Sequence, residues 1–454
     1  MNIAIMSGEI SGDLIGGALA AEILRLAPDV KIWGVGSAAM REAGVELIED
    51  SASWGAISIT EAIAKVPSLL LRIAPKLKKI TRDRRPDVMV LIDFGAFNVR
   101  AARFCKSLGI KVVYYFPPST WRRTGTQGSD LAALTDHVLV PFPWAEERYR
   151  KLGANALNIG HPMLDRVRSA MTRAEFASQF GMDEDQPIIG LLPGSRKHEV
   201  SHLMPTLLDT ARRIHQTVKS AQFVVGVAPS ISLDMMREYL TGHNDIRDRL
   251  SALWHEFAQE AESKVWKPVQ RTAGALNPHG QRQMVTVGGV VMSEDSFKQR
   301  LDEQRREAQR RNSLGLPPIV LAKGLTYEVM AHSDVLLTCS GTATLEAALF
   351  ETPMVILYKG SKVMEIEYYL RGFHKSIANI GLPNLLADRR IVPELLQNAA
   401  TPEAIAEHAI KMLNDPETRQ QVKADLRSVR QALGEPGASE RAARIVLKTA
   451  GREV

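Results

Sequence analysis

Short apolar runs alternate with longer amphipathic stretches along most of the chain. IAIM (3–6), KIWGVG (31–36), VMVLID (88–93), KVVYYF (111–116) and HVLVPF (137–142) read as buried strands. Between them, stretches such as 14–26, 66–82 and 99–108 carry apolar residues at helical spacing. Strand–helix alternation at this spacing predicts a parallel, doubly wound sheet. The pattern restarts at PIIGLLPGSR (187–196), a strand and loop ahead of a helix reaching about residue 218. It continues through QFVVGV, PIVLA, DVLLT and PMVILY. The expected class is α/β, with two Rossmann-like domains in tandem joined near GHPMLD (160–165) and residues 166–172. The expected boundaries are 1–168 for the first domain and 169–435 for the second. A last helix within 436–454 is expected to pack back on the first domain.

Residues from about 241 to 316 break the rhythm. HNDIRDRLSALWHEFAQEAESKVWKPVQRTAGALNPHGQRQ has no clear strand partner, MVTVGGVVM fits a hairpin around Gly288–Gly289, and KQRLDEQRREAQRRN is a charged helix with acid–base pairs at helical spacing. The region reads as an insertion in the second domain. It is either a solvated excrescence or a device for dimerisation, membrane contact or regulation. After Pro393 the chain is helical, with Pro-Glu at 402–403 and 416–417 as helix-start signals.

A chain of 454 residues is long enough for two or three cores. Its net charge of +6 suits a phosphate-bearing substrate or an anionic membrane surface, and no nucleic-acid motif accompanies it. Two cysteines, Cys105 and Cys339, both in apolar surroundings, favour a reducing cytoplasm. Gly8 and Glu9 interrupt the first apolar run, so no signal peptide is expected, and no stretch has the roughly 18 apolar residues of a membrane span.

In open parallel sheets, ligands bind beyond the C-terminal ends of the strands, and the chemistry-bearing residues lie there. The first strand runs into SGEISGD (7–13), which lacks the G-x-G-x-x-G of a dinucleotide site. It reads as a glycine-permitted loop opening onto a helix N-terminus, able to hold an anion or a sugar hydroxyl. In VLIDFGAFN, Asp93 ends a buried strand, where a carboxylate is either a satisfied helix cap or an acid–base group. YYFPPSTWRR brings Ser119 and Trp121 to the cleft with Arg122 and Arg123 for phosphate, unless it is a proline-stiffened surface loop. In LLPGSR, Gly194 and Ser195 make a tight loop and Arg196 offers a fork of donors to phosphate. Ser340, Gly341 and Thr342 stand at the mouth of another helix, where free N–H groups favour a diphosphate, although a simple N-cap has the same residues. Glu346 follows one turn later, on the face for ribose hydroxyls. This is the layout of a nucleotide-sugar site without a metal or other cofactor.

SGEISGD, VLIDFGAFN, PPSTW, GHPMLD, LLPGSR, SGTATLE and LPNLL together resemble, in order and spacing, the lipid-A-disaccharide synthase family, over roughly 1–235 and 318–400. The resemblance implies a GT-B glycosyltransferase that moves 2,3-diacylglucosamine from UDP to 2,3-diacylglucosamine 1-phosphate. The product is a β-1,6 disaccharide phosphate of the lipid A pathway. It makes Asp93 the base for the acceptor 6-hydroxyl, with Glu9 in reserve. Arg196, Ser340, Gly341, Thr342 and Glu346 become the UDP site, and Asn384 faces the donor. Ser7 and Gly8 lie near the transferred sugar, Ser11 caps the first helix, and Asn98, Ser119 and Trp121 complete the substrate set. Where the family usually has D-A-P-D-F-N this chain has DFGAFN, and where it has S-P-S-x-W-A-W this chain has PPSTWRR. A divergent paralogue with another UDP-sugar, or a non-catalytic UDP-sugar-binding protein, are the alternatives.

The partners so implied are the two acylated sugars, an anionic membrane surface and, as a candidate assembly, a homodimer. The location is cytoplasmic, peripheral on the inner membrane. The docking segment expected is 61–85, with Leu69, Leu70, Leu71, Ile73 and Leu77 as its apolar cluster and Arg72, Lys76, Lys78, Lys79 and Arg82 as its charge, unless the leucines simply pack on the first sheet. Pro75 is expected to kink or end its helix.

Overall fold

The computed structural model describes residues 1–52, 54, 69–117, 120, 128–241, 284–287, 290–293, 315–360 and 379–453. Seven strands form the first sheet: β1 (Asn2–Ser7), β2 (Lys31–Gly36), β3 (Glu46–Asp50), β4 (Val88–Ile92), β5 (Lys111–Tyr115), β6 (His137–Val140) and β7 (Ala156–Asn158). All pairings are parallel, in the order β3-β2-β1-β4-β5-β6-β7. The second sheet uses β8 (Ile188–Leu192) and β9 (Gln222–Val227). A separate antiparallel pair follows, β10 (Met284–Val287) with β11 (Val290–Ser293), closing the hairpin expected from MVTVGGVVM. β12 (Ile319–Lys323), β13 (Val335–Cys339), β14 (Met354–Tyr358) and β15 (Glu394–Leu396) then complete a parallel sheet in the order β12-β9-β8-β13-β14-β15. The central strands of each sheet are Val-, Ile- and Leu-rich and buried on both faces, because helices cover each sheet on both sides, whereas Glu46–Asp50 is exposed or half-buried throughout.

In each sheet the strand order reverses once, between β1 and β4 in the first and between β8 and β13 in the second. A crevice opens at such a switch point. The loops after those four strands are SGEISGD, DFGAFN, PGSR and SGT, so topology alone gathers the four sequence motifs.

The C-terminal helices start where Pro-Glu marks them, at Pro402–Asn414 and Pro416–Ala432, capped by Thr401 and Asp415. The last helix, Ala438–Thr449, crosses back to the first sheet. Its Ala442, Ala443, Val446 and Leu447 share a core with Ile3, Ile5, Leu19 and Ile23. Asp165 accepts the N–H groups of Gly437 and Ser439 at 2.5 and 3.1 Å and so anchors this helix at its start.

In the docking segment, residues 61–68 and the side chains of Leu69 and Leu70 lie outside the described residues. A π-helical turn, Leu69–Ile73, leads into the helix Ala74–Arg84. Pro75 sits in the first turn of that helix, at the junction where the π-helical turn gives way to it, as expected of a residue that interrupts the segment. Ile73 and Leu77 belong to the core, which removes both from the expected apolar cluster. Leu71 is 79% exposed.

Candidate active site

A cleft of about 610 Å³ runs between the two sheets, lined by Glu9 and Ser11 on one side and by Arg196, Ser340, Gly341, Thr342 and Glu346 on the other. An inner chamber of about 200 Å³ adjoins it and holds Asp93. Ser11, Leu14, Arg166 and Thr342 line both.

The composition of the opening loop follows from its packing. A Cβ at Gly8 would stand 2.2 Å from the Phe94 ring, and one at Gly12 would stand 2.4 Å from Ser7 Oγ. Ser7 is buried and its Oγ donates to Glu9 O at 3.1 Å, which leaves Ser7 and Gly8 as supports of the loop. The helix begins at Ile10 with Glu9 in the cap position, so Ser11 lies inside the first turn and is not the cap. Buried Asp13 accepts from the N–H groups of Ser37, Ala39 and Met40 at 2.6, 2.9 and 3.3 Å and thereby holds the helix Ala38–Glu42.

At the end of β4, Asp93 and Phe94 have φ of 47° and 48°. Left-handed non-glycine residues cost of order 1–3 kcal/mol each and persist where their surroundings over-determine them. Here Asn98 Nδ2 donates to Ile92 O and Asp93 O at 3.0 and 2.8 Å, and the Tyr114 hydroxyl donates to Asp93 O at 2.8 Å. The Phe94 ring packs against Gly8, Trp54 and Phe97. Asn98, expected among the substrate ligands, is instead buried and holds the Asp93 main chain. The effect is to turn the Asp93 carboxylate into the chamber. Burial, and next the Glu9 carboxylate, push it up to about 6.

Across the cleft, Gly341 has φ of 151° and occupies the cap position of the helix Thr342–Leu349. Ser340 N–H continues the sheet to Leu357 O at 2.8 Å, and Thr344 N–H turns back to Gly341 O at 3.1 Å. Among the described residues the N–H groups of Gly341, Thr342 and Ala343 have no acceptor, which leaves three free donors at the positive end of a helix, an arrangement able to hold an anion. In the PGSR loop the N–H groups of Ser195 and Arg196 are already taken by Glu199 Oε2, at 2.9 and 3.2 Å, and Glu199 Oε1 accepts from one arm of Arg196 at 2.9 Å. What that loop offers the cleft is the rest of the half-exposed Arg196 fork. Glu346 Oε1 accepts from Arg166 and from the Tyr327 hydroxyl, at 2.8 and 2.9 Å, which orients its carboxylate.

Asn384 does not face the cleft. It is fully buried, donates to Val392 O and Glu394 Oε1 at 2.9 and 2.6 Å, and accepts from Ile391 and Val392 N–H at 2.7 and 3.0 Å. Ser119, Trp121, Arg122 and Arg123 lie outside the described residues. Arg166, Tyr327 and His161, which the motifs had not marked as ligands, line the cleft or chamber. His161 and Arg166 follow β7 directly, so the strand-end rule that located Asp93 also reaches them.

Comparison with known proteins decides the family. The lipid-A-disaccharide synthetase family model matches residues 3–253 and 287–449. The chain belongs to the lipid-A-disaccharide synthase family. A lipid-A-disaccharide synthase of Geobacter metallireducens is 32% identical over 452 residues, covering 99% of this chain and 98% of the relative. One from Syntrophus aciditrophicus is 30% identical over 445 residues, covering 98% and 97%. Among solved structures, the glycotransferase of kitacinnamycin superposes with a TM-score of 0.54 at 15% identity, covering 99% of this chain and 98% of that one. This likeness concerns the fold, the two-sheet GT-B arrangement. The protein is thus a glycosyltransferase of lipid A biosynthesis. The family model passes over 254–286, which falls within the stretch that interrupts the strand–helix rhythm.

Proposed function

We propose that this glycosyltransferase moves 2,3-diacylglucosamine from UDP to the 6-hydroxyl of 2,3-diacylglucosamine 1-phosphate, with inversion. Asp93 takes the proton of the acceptor hydroxyl as its oxygen attacks the anomeric carbon. The bond to the UDP phosphate oxygen breaks on the opposite face, and UDP leaves with the electron pair. The diphosphate charge is met by the N–H groups at Gly341–Ala343 and by Arg196, without a divalent cation, and Glu346 receives ribose hydroxyls. The observation carrying this reading is the juxtaposition of Asp93, poised near neutrality at about 6, with an open helix N-terminus across one cleft.

The acylated substrates partition into bilayers, so the enzyme collects them at an anionic membrane surface, for which exposed Leu71 with Arg72, Lys78, Lys79 and Arg82 is the proposed contact. Among the described residues, no helix is long and apolar enough to cross a membrane.

The test is transfer from UDP-2,3-diacylglucosamine to its 1-phosphate acceptor, with and without EDTA. The expected result is UDP release with disaccharide phosphate formed in equal amount, unchanged by the chelator. Transfer only to another acceptor would replace the substrate assignment. Loss on chelation, restored by magnesium, would overturn the metal-free one.

A further inference from the structure

We propose that the inner chamber seats the amide-linked acyl chain of the transferred sugar, with His161 donating a hydrogen bond to the amide carbonyl. The proposal rests on the reading of the chain as a transferase of acylated UDP-sugars and adds to it where one chain goes.

The chamber is placed for this. It meets the UDP cleft at Thr342, in the first turn of the diphosphate helix, and it contains Asp93, so the transferred sugar must lie at its entrance. Its lining includes Phe116, Phe142, Met163, Leu345 and Leu382, an apolar group that suits methylenes, beside the polar Thr120, His161 and Arg166. At about 30 Å³ per water-sized group, 200 Å³ has room for about six or seven groups.

His161 supplies a donor that stands between the aromatic walls and that the transfer mechanism does not use. The residue is 7% exposed and lines the chamber. Its Nδ1 accepts the Met163 N–H at 3.2 Å, so the neutral ring carries its proton on Nε2. Phe116 stands edge-on to the ring at 5.0 Å and Phe142 lies at 5.9 Å, which fixes its plane. Burial, and next the Arg166 charge, hold the imidazole down at about 3, uncharged at any physiological pH. A neutral donor between aromatic rings matches a neutral acceptor. Arg166, the cation that also lines the chamber, is paired with Glu346 at 2.8 Å, and the protonated His161 ring is the form this site disfavours. Among the groups of an acylated aminosugar, the amide carbonyl is the strongest neutral acceptor, and its methylenes continue away from the sugar.

The experiment is calorimetric titration of UDP, UDP-N-acetylglucosamine and UDP-N-octanoylglucosamine, which needs no turnover. Each buried methylene strengthens binding roughly fourfold, so the octanoyl donor should bind wild type at least ten times more tightly than the acetyl donor. Ala18 lines the chamber but not the outer cleft. Ala18→Phe should erase the octanoyl advantage and leave UDP affinity unchanged. Ala18→Leu, a smaller intrusion, should reduce the advantage several-fold and guards against a folding defect in the first variant. His161→Phe should weaken both acylamido donors about tenfold relative to UDP. An octanoyl donor no better than the acetyl one, or an advantage that survives both Ala18 variants, overturns the proposal. Chain-length-dependent binding without transfer to the phosphorylated acceptor would leave the subsite standing and defeat the proposed reaction instead.

Discussion

At the scale of single residues, the proposed mechanism turns on Asp93, whose environment makes two opposing demands. A general base works best with an affinity for protons near that of the medium, and Asp93 reaches about 6 through burial and the adjacent Glu9 charge. Its ordinary value is 3.8. Between those two pH values the folded protein keeps a proton that the unfolded chain gives up, so stability falls as pH rises across that window. Above it the charged form carries a penalty of up to about 3 kcal/mol. Asp93→Asn should therefore lower turnover about 10²-fold or more while raising stability by about 1–3 kcal/mol at pH 8, with the gain gone below pH 4. Denaturant titration at the two pH values and steady-state assays read both effects. Wild-type turnover should fall on the acid side with a midpoint near pH 6, as the base is protonated. Near-normal turnover in the variant would transfer the role to Glu9. The position of Asp93 at a strand end lining the chamber was legible because a carboxylate ending an apolar strand is conspicuous. Asn98 and Asn384 were misread for a related reason. A buried amide serving main-chain groups and one serving a ligand have the same place in a motif, and only the bonds distinguish them.

At the scale of elements, the central strands were readable because burial on both faces leaves unbroken apolar runs. The strands Glu46–Asp50, Ala156–Asn158 and Glu394–Leu396, short or partly exposed, were not, and the last lies where only helix was expected after Pro393. Helix starts were less readable. Ser11 resembles a cap, yet the helix begins one residue before it, because the chain leading into the helix sets the start. The pairing of loops across a sheet was not readable at all, since it depends on strand order. The contact between Gly8 and Phe94 is of this kind: it joins the loop after β1 to the loop after β4. The two lie 86 positions apart but side by side at the switch point. Gly8→Ala would place a carbon 2.2 Å from the Phe94 ring, which Trp54 and Phe97 confine. The ring must move and take the neighbouring Asp93 with it. The variant should lose about 1–3 kcal/mol of stability and should lose turnover more than tenfold, with UDP affinity within about twofold of wild type. That split can be measured by assays beside UDP titration. Equal loss of UDP affinity would mean that the opening loop belongs to the nucleotide site rather than to the support of Asp93.

At the scale of the whole molecule, the question is how a chain with a net charge of +6 would reach the acylated substrates proposed for it. Three large apolar side chains are exposed among the described residues: Ile10, Leu14 and Leu71. Ile10 and Leu14 line the cleft. Leu71 does not, and it stands at the start of a helix whose outer face carries Lys78, Lys79 and Arg82. Ile73 and Leu77, the next apolar residues, already pack inside, so replacing them would test folding and not docking. Leu71 separates the two. Burying one leucine contributes about 1.5–3 kcal/mol, and attraction of basic side chains to anionic lipid adds a part that salt screens. Leu71→Ser should therefore reduce sedimentation with anionic vesicles about tenfold at an unchanged melting temperature. Raising the salt to about 0.5 M should weaken binding of both proteins through the charge that remains. A melting temperature several degrees lower would return Leu71 to the core. Vesicle binding that survives the change, and survives salt as well, would place the membrane contact on another face.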